Sequence, residues 1–253
     1  MKVKTVVLMW QLALLAIAAT GCSDSVPSDI VPEIDNVPMR QVLVRKYDAN
    51  SDGKLSPDEV RLIKEVYLNS DMGENYNVLK HLVSLERLEG NGCEIYSLDI
   101  TDSKKLKVCE LRNLDNLKHI KVNKNLQRLV MSRAKDLTEV DLPEMPYLQW
   151  LCIAISPLEK LTTGNCPSLT TLTVDDTYLT ELDLSKYPRL EEVFCDNTKV
   201  EVLDLSMLKN LNLVRCKGVK KVIISPEQKI VGLNIDPDYK YCIDRDTEII
   251  TKS

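Results

Sequence analysis

LTTLTVDDTYLTELDL (residues 169–184) lies over LEEVFCDNTKVEVLDL (residues 190–205) at a shift of 21 residues. Leu169, Leu172, Val174, Thr177, Leu179, Leu182 and Leu184 fall on Leu190, Val193, Cys195, Thr198, Val200, Leu203 and Leu205. The same template fits Leu85, Leu88, Gly90, Cys93, Ile95, Leu98 and Ile100. The leading residues run Leu85, Leu106, Leu126, Leu148, Leu169, Leu190 and Leu211, separated by 21, 20, 22, 21, 21 and 21. A closed globule needs no such constancy. A unit this short cannot bury its aliphatic face alone, so successive units must stack and share one continuous core.

Composition agrees. The chain has 253 residues, 33 basic and 38 acidic side chains, and only 5% aromatic content against 44% hydrophobic. Its interior is therefore aliphatic and regular, and collagen-like, fully disordered and polybasic nucleic-acid-binding classes are excluded. The interval lies within the range of leucine-rich repeats, in which each turn contributes a short parallel strand. The fold class expected is an α/β solenoid of about seven turns over residues 85–229, preceded by a helical cap. Thr177, Thr198, Ser156 and Cys93 stand where such repeats often carry Asn, so a hydroxyl or thiol serves the bend after the strand. An open stack exposes its core at both ends. Val78, Leu79 and Leu82, in the connection at 71–84, are placed to close the front. Ile230, Leu233 and Ile235 begin an end cap at 230–253, and residues 239–251 suit a hairpin over it.

The first 22 residues carry an address. Lys2 and Lys4 precede an apolar run broken only by Gln11, and Ala19, Thr20 and Gly21 are small residues before Cys22. The run is too short for a comfortable membrane span and polar residues follow at once. Small residues before a Cys resemble a bacterial lipobox, which makes Cys22 the lipid attachment site and tethers the chain to a membrane it never crosses. Removing residues 1–21 takes away two lysines and no acid, so the formal charge moves from −5 to −7. That favours no nucleic-acid partner. Seven Cys remain, an odd number with no CxxC spacing, which fits buried free thiols rather than a disulfide framework or zinc ribbon.

Residues 23–38 are rich in Pro, Ser and Asp and read as a spacer. DANSDGKLSPDE (residues 48–59) then has the spacing of an EF-hand loop, within a cap at 39–70. Asp48, Asn50 and Asp52 offer side-chain oxygens and Lys54 its carbonyl. Ser56 contributes directly or through water, and Glu59 closes the shell. Gly53 makes the turn, and Leu55 ties the loop to the core. Residues 39–47 suit an entering helix, with Val60, Ile63 and Leu68 on an exiting one. The cofactor expected is Ca2+, as a structural staple, since no second loop is present to form a switching pair.

The order of Cys22, one such loop, then 21-residue repeats with Leu-Asp-Leu-Ser at 182–185 and 203–206, resembles the leucine-rich-repeat surface lipoproteins of Bacteroides-type bacteria. Lys121, Thr162 and Ile223 depart from the pattern by replacing the Asp of that element. The resemblance implies a calcium-bearing cap and a lipid-anchored place at the outer membrane or cell surface. It implies no reaction and no defined ligand.

Alternation assigns the faces. With Leu172 and Val174 inward, Thr171, Thr173 and Asp175 point out, and their equivalents form three columns. Trp150 and Phe194, the only Trp and Phe beyond the leader, fall there beside Val130, Cys152 and Leu213, with Asp175 and Asp196 at one border. Aromatics on an exposed sheet flanked by charge suit an extracellular or envelope protein, or a glycan. The function expected is a tethered binding module, with an assembly component of an envelope complex as the alternative. Asp99, Asp141, Asp183 and Asp204 recur on the opposite side, where short carboxylates bond local backbone. No GxSxG, HExxH or phosphate-binding glycine loop occurs, and His81 and His119 have no nucleophile beside them in the pattern. Asp175, Glu192 and Asp196 form the best acid–base set for a glycan, yet no pocket is expected around them, and the chain is read as no enzyme.

Overall fold

The computed structural model of the chain describes residues 37–73, 76–233 and 242–252. Cys22, the leader at 1–22, most of the spacer, Ile235 and Tyr239 lie outside them. Helix α1 (Val37–Tyr47) begins two residues inside the stretch read as spacer, with Pro38 in its first turn, where a missing N–H forfeits no bond. It buries Met39 and Leu43, one turn apart on a single face. Helix α2 (Pro57–Val60) starts on a capping box: Ser56 Oγ accepts the Glu59 N–H at 3.3 Å, and the Glu59 carboxylate accepts the Ser56 N–H at 2.7 Å.

The exiting helix expected through Ile63 and Leu68 ends at Val60, and the chain becomes strand instead. Val66 and Leu68 are buried while Glu65 and Tyr67 are exposed, a period of two that only a strand satisfies. The strands in chain order are β1 (Glu65–Asn69), β2 (Arg87–Asn91), β3 (Ser97–Asp99), β4 (Val108–Arg112), β5 (His119–Lys121), β6 (Arg128–Ser132), β7 (Glu139–Leu142) and β8 (Trp150–Ala154). They continue with β9 (Lys160–Thr163), β10 (Thr171–Thr173), β11 (Glu192–Phe194), β12 (Val202–Asp204), β13 (Leu213–Arg215), β14 (Lys221–Ile224) and β15 (Glu248–Thr251).

One eight-stranded sheet runs β1-β2-β4-β6-β8-β10-β11-β13, every pairing parallel. The opposite side carries three small parallel sheets, β3-β5, β7-β9 and β12-β14-β15. The molecule is thus a leucine-rich-repeat solenoid wound from extended chain, with α-helix confined to its N-terminal end among the described residues. Seven strands of the large sheet follow the seven leading leucines by two residues each. The eighth, β1, extends the stack one turn toward the N-terminus.

The core is the column between the two sides. Leu85, Leu106, Leu126, Leu148, Leu169 and Leu190 have no exposed surface and Leu211 is 4% exposed. Burying one such side chain is worth roughly 1.5–3 kcal/mol, so the repeated leucine alone anchors each turn to the next. The turns approach closely: a Cβ on Gly164 would stand 2.5 Å from the Glu144 backbone nitrogen, so no larger residue fits there. Val78, Leu79 and Leu82 are buried at the front. At the other end Val231 bridges Leu213, and β15 pairs in parallel with β14 through four residues. The hairpin expected over 239–251 is therefore not formed in its described part. A parallel return keeps the winding direction and covers the open edge of β14.

The bend after each strand is left-handed once per turn. Gly92, Asn113, Arg133, Ile155, Asp176, Asn197 and Gly218 hold φ between 54° and 94° at successive equivalent positions. Thr177 and Thr198 steady two of these bends by donating to the Val174 and Cys195 carbonyls, at 2.8 and 3.1 Å. Ile155 is the misfit. A β-branched side chain is the costliest occupant of this region, and the neighbouring Ser156 Oγ is buried without a hydrogen-bond partner.

On the opposite side Asp99, Asp183 and Asp204 each accept the N–H and the hydroxyl of the residue two places on, Thr101, Ser185 and Ser206, at 2.6–3.0 Å. Asp141 is followed by Pro143 at that place, which has neither donor. The hydroxyl bonds first, with help from the amides, hold all three carboxyls below their usual range.

Two outcomes follow from these bends. Ile155→Asn, which matches Asn113 and Asn197, relieves about 1–2 kcal/mol of left-handed strain, and thermal melting several degrees higher is expected; unchanged or lower melting would show that Ile155 is not strained. Because the three folded carboxyls titrate below their unfolded values, near 3.9, their stabilisation is complete above about pH 4 and is lost as pH falls through the folded values. The Asp99→Asn, Asp183→Asn, Asp204→Asn triple variant should lose less of its urea midpoint between pH 6 and pH 3 than the parent, and an identical loss would remove these groups from the acid limb.

Candidate functional site

The register of the large sheet fixes three outward columns. The first runs Glu65, Arg87, Val108, Arg128, Trp150, Thr171, Glu192, Leu213, and the middle one Tyr67, Glu89, Glu110, Val130, Cys152, Thr173, Phe194, Arg215. Asn69, Asn91, Arg112, Ser132 and Ala154 are paired in register in the third, which Asp175, Asp196 and Lys217 continue just beyond the shorter strands. Tyr67, 55% exposed, also belongs to this face, a position that an exiting helix running through Leu68 does not supply. The alternation in Glu65–Asn69 was the available signal.

Trp150 and Phe194 are each clamped by an arginine on the neighbouring strand. Trp150 is paired in register with Arg128, whose guanidinium lies 4.1 Å from the indole centre and donates through Nε to Glu110 at 2.6 Å. Glu110 also receives Arg112, at 3.2 Å. Phe194 is paired in register with Arg215, 5.4 Å from the ring centre, and Arg215 reaches Asp196 at 2.8 Å and Asp175 at 3.4 Å. Each constellation joins an aromatic ring, a cation and a carboxylate from neighbouring columns, so the ring is held in place before any partner arrives.

Between the two arginine–carboxylate clusters lies a stretch without charge. Val130 and Ser132 on β6, Trp150, Cys152 and Ala154 on β8, and Thr171 and Thr173 on β10 are its members. Trp150, Cys152, Phe194 and Leu213 are half-buried, each showing part of its surface. Val130 is 4% exposed and Asp196 7%, so neither offers the surface expected of a contact residue. The short side chain of Val130 sinks among longer neighbours set one strand spacing away, and Asp196 is pinned by Arg215 and by the Lys217 N–H at 2.9 Å. Ile155, 47% exposed, adds an apolar rim directly after Ala154.

The three carboxylates considered for acid–base chemistry are engaged. Asp175 accepts the Asp196 N–H at 2.7 Å, Asp196 accepts from Arg215 and Lys217, and Glu192 accepts from Thr171 Oγ1 at 3.2 Å. Burial raises the Asp175 carboxyl above its usual range, opposed by the Asp196 amide. The seven described cysteines are free thiols, six of them buried. Cys152, the partly exposed one, is pushed up to about 11, by burial first and by Asp175 next, so it stays a neutral thiol rather than a nucleophile.

The 48–59 loop folds around its own amides. Gly53 takes φ 79°, and Leu55 is buried against the core. Asp48 accepts the Gly53 N–H at 2.8 Å and Asn50 Oδ1 the Asp52 N–H at 2.9 Å. Glu59 Oε1 accepts from Ala49 at 2.8 Å, and Oε2 accepts the Ser56 N–H and hydroxyl at 2.7 and 2.8 Å. These bonds, the Ser56 amide first, hold the Glu59 carboxyl below its usual range. Its donors are the hard oxygens a calcium ion takes, yet among the described residues no three His, Cys, Asp or Glu side chains converge to hold a metal. The set fits in kind, with Glu59 serving as a cap.

No described helix is long and apolar enough to cross a membrane. The sequence matches no protein-family model and no curated protein. Among solved structures the chain is similar to an internalin, InlF, of Listeria monocytogenes, at 13% identity and a TM-score of 0.29, over 92% of this chain and 99% of that one. It is also similar to the functional domain of InlJ from the same organism, which includes a cysteine ladder, at 14% identity and a TM-score of 0.30, over 85% of this chain and 58% of that one.

Proposed function

We propose that this protein is a non-catalytic binding module, tethered outside the cytoplasm through Cys22, that recognises a protein or glycan with the sheet face of its solenoid. The observation that carries the reading is the clamped Trp150 in an uncharged centre bordered by satisfied ion pairs. An anchor already fixed by Arg128 loses little rotamer freedom on binding. The paired charges around it form a rim that excludes water without contributing much themselves.

Buried anchors of this kind are worth about 2 kcal/mol or more each, roughly thirtyfold in affinity. Residues 23–253, immobilised and challenged with envelope and culture extracts, should retain a partner that the Trp150→Ala, Phe194→Ala double variant does not, with melting changed by no more than a few degrees. Equal retention by both proteins refutes the assigned face. A single stoichiometric envelope partner, found by crosslinking in intact cells, would favour the assembly role instead.

Calcium at the 48–59 loop belongs to the same reading, held by Asp48, Asn50, Asp52, the Lys54 carbonyl, Ser56 and Glu59. Modules outside the cytoplasm bind it at about 10⁻⁴ to 10⁻³ M. At about ten times the dissociation constant, the ion adds about 1.4 kcal/mol of stability. Millimolar calcium should therefore raise the melting temperature by a few degrees, and Asp48→Ala should remove the rise. Identical melting with calcium and with chelator counts against the site.

A further inference from the structure

The outer face of α1 takes no part in the stack. At about 100° per residue, Met39 and Leu43 point into the core, and Tyr47 beside them donates its hydroxyl to the Glu65 carbonyl of β1 at 3.3 Å. The helix thus closes the first turn, and its other side looks away from the solenoid. Val37, Pro38, Gln41, Val42, Arg45 and Lys46 make up that side, all of them exposed. Val37 and Val42 leave 44% and 43% of their surface open.

Its charge is of one sign. Arg45 and Lys46 lie on the open side and Arg40 on its flank, and α1 contains no Asp or Glu. Lys46 stands 5.1 Å from the centre of the Tyr47 ring, and no carboxylate among the described residues pairs with any of the three cations. The sheet face is built differently. There Arg87, Arg112, Arg128 and Arg215 each meet a carboxylate. Unpaired cations between open valines therefore mark α1 in a chain whose formal charge without residues 1–21 is −7.

The chain before α1 sets what can lie against it. Cys22 is 15 residues ahead of Val37, so a bilayer holding Cys22 stands no farther than about 50 Å from the helix. A tether of that length presents the helix to the membrane at roughly millimolar effective concentration. Each cation near an anionic surface raises partitioning about fivefold, and apolar side chains between the cations enter the headgroup layer. Weak attraction is enough under those conditions.

We propose that the outer face of α1 rests on an anionic bilayer surface, with Arg40, Arg45 and Lys46 at the headgroup phosphates and Val37 and Val42 between them. The occupant follows from the tether of the proposed function, on which this inference rests. The contact stands the solenoid on its N-terminal end and keeps the sheet face clear of the membrane. Trp150 on β8 then lies four strand spacings, about 19 Å, beyond β1.

Co-sedimentation of residues 23–253, which include every described residue, with vesicles at millimolar lipid tests the contact without using the tether. The vesicles are phosphatidylcholine alone, or equal parts phosphatidylcholine and phosphatidylglycerol. Binding about tenfold or more tighter to the anionic vesicles is expected despite the negative net charge, fading as salt rises. The Arg45→Glu, Lys46→Glu variant should lose about tenfold or more, and Val42→Asp several-fold. These side chains are exposed, and unchanged melting will confirm that both variants fold. The Trp150→Ala, Phe194→Ala protein should bind the vesicles as the parent does. No preference for anionic vesicles, indifference to charge reversal, or binding lost with Trp150 and Phe194 overturns the proposal. So does binding that emerges only when Asp24, Asp29, Glu33 and Asp35 are changed to amides, because the chain's own spacer would then cover the helix. Metabolic labelling with palmitate reads Cys22 separately. An unlabelled chain sinks the tether and this inference with it, whereas a labelled chain that ignores anionic vesicles sinks this inference alone.

Discussion

Everything in this molecule depends on parallel strands stacking in register, one turn upon the next. Along the strands, backbone amides of one turn are bonded to carbonyls of the next, so residues about 21 apart become spatial neighbours at about 4.8 Å. Inward leucines then meet inward leucines in one continuous apolar column. A slip of one residue would turn every inward side chain to solvent, which is why the register is strict.

The same constraint builds the outer surface. Register places Arg128 against Trp150 and Arg215 against Phe194, and it brings Asp175 within 3.4 Å of Arg215 across 40 residues of chain. Ion pairs between exposed side chains are individually worth little. Here they act on geometry, since each guanidinium is held by carboxylates on one side and stacks on a ring on the other.

Much of this was legible in the amino acids. The interval between leucines located seven strands, and alternation within them assigned every outward residue to its column. The Asp-x-Ser and Asp-x-Thr elements were readable as local bonds, since a carboxylate two residues before a hydroxyl meets both its amide and its oxygen. The misreadings have physical causes. The metal-loop pattern ending at Glu59 carries an expectation of a helix after it, and that overrode the alternation of Val66, Tyr67 and Leu68. Residues 248–251, Glu-Ile-Ile-Thr, carry β-forming side chains without alternation, and nothing local says whether they return antiparallel or run on as another turn.

By itself the sequence determined the winding, its period and which side chains face out, because a periodic apolar pattern has few other ways to bury itself. Only the tertiary structure decided how much of each outward residue remains visible. Val130 and Trp150 sit in equivalent strands and both point outward, yet one is sunk beneath its neighbours and the other is propped up by Arg128. It also decided that Glu59 caps a helix with its carboxylate and that β1 and β15 extend the stack. Exposure, clamping and end pairing depend on neighbours distant in the chain, and no local pattern of residues contains them.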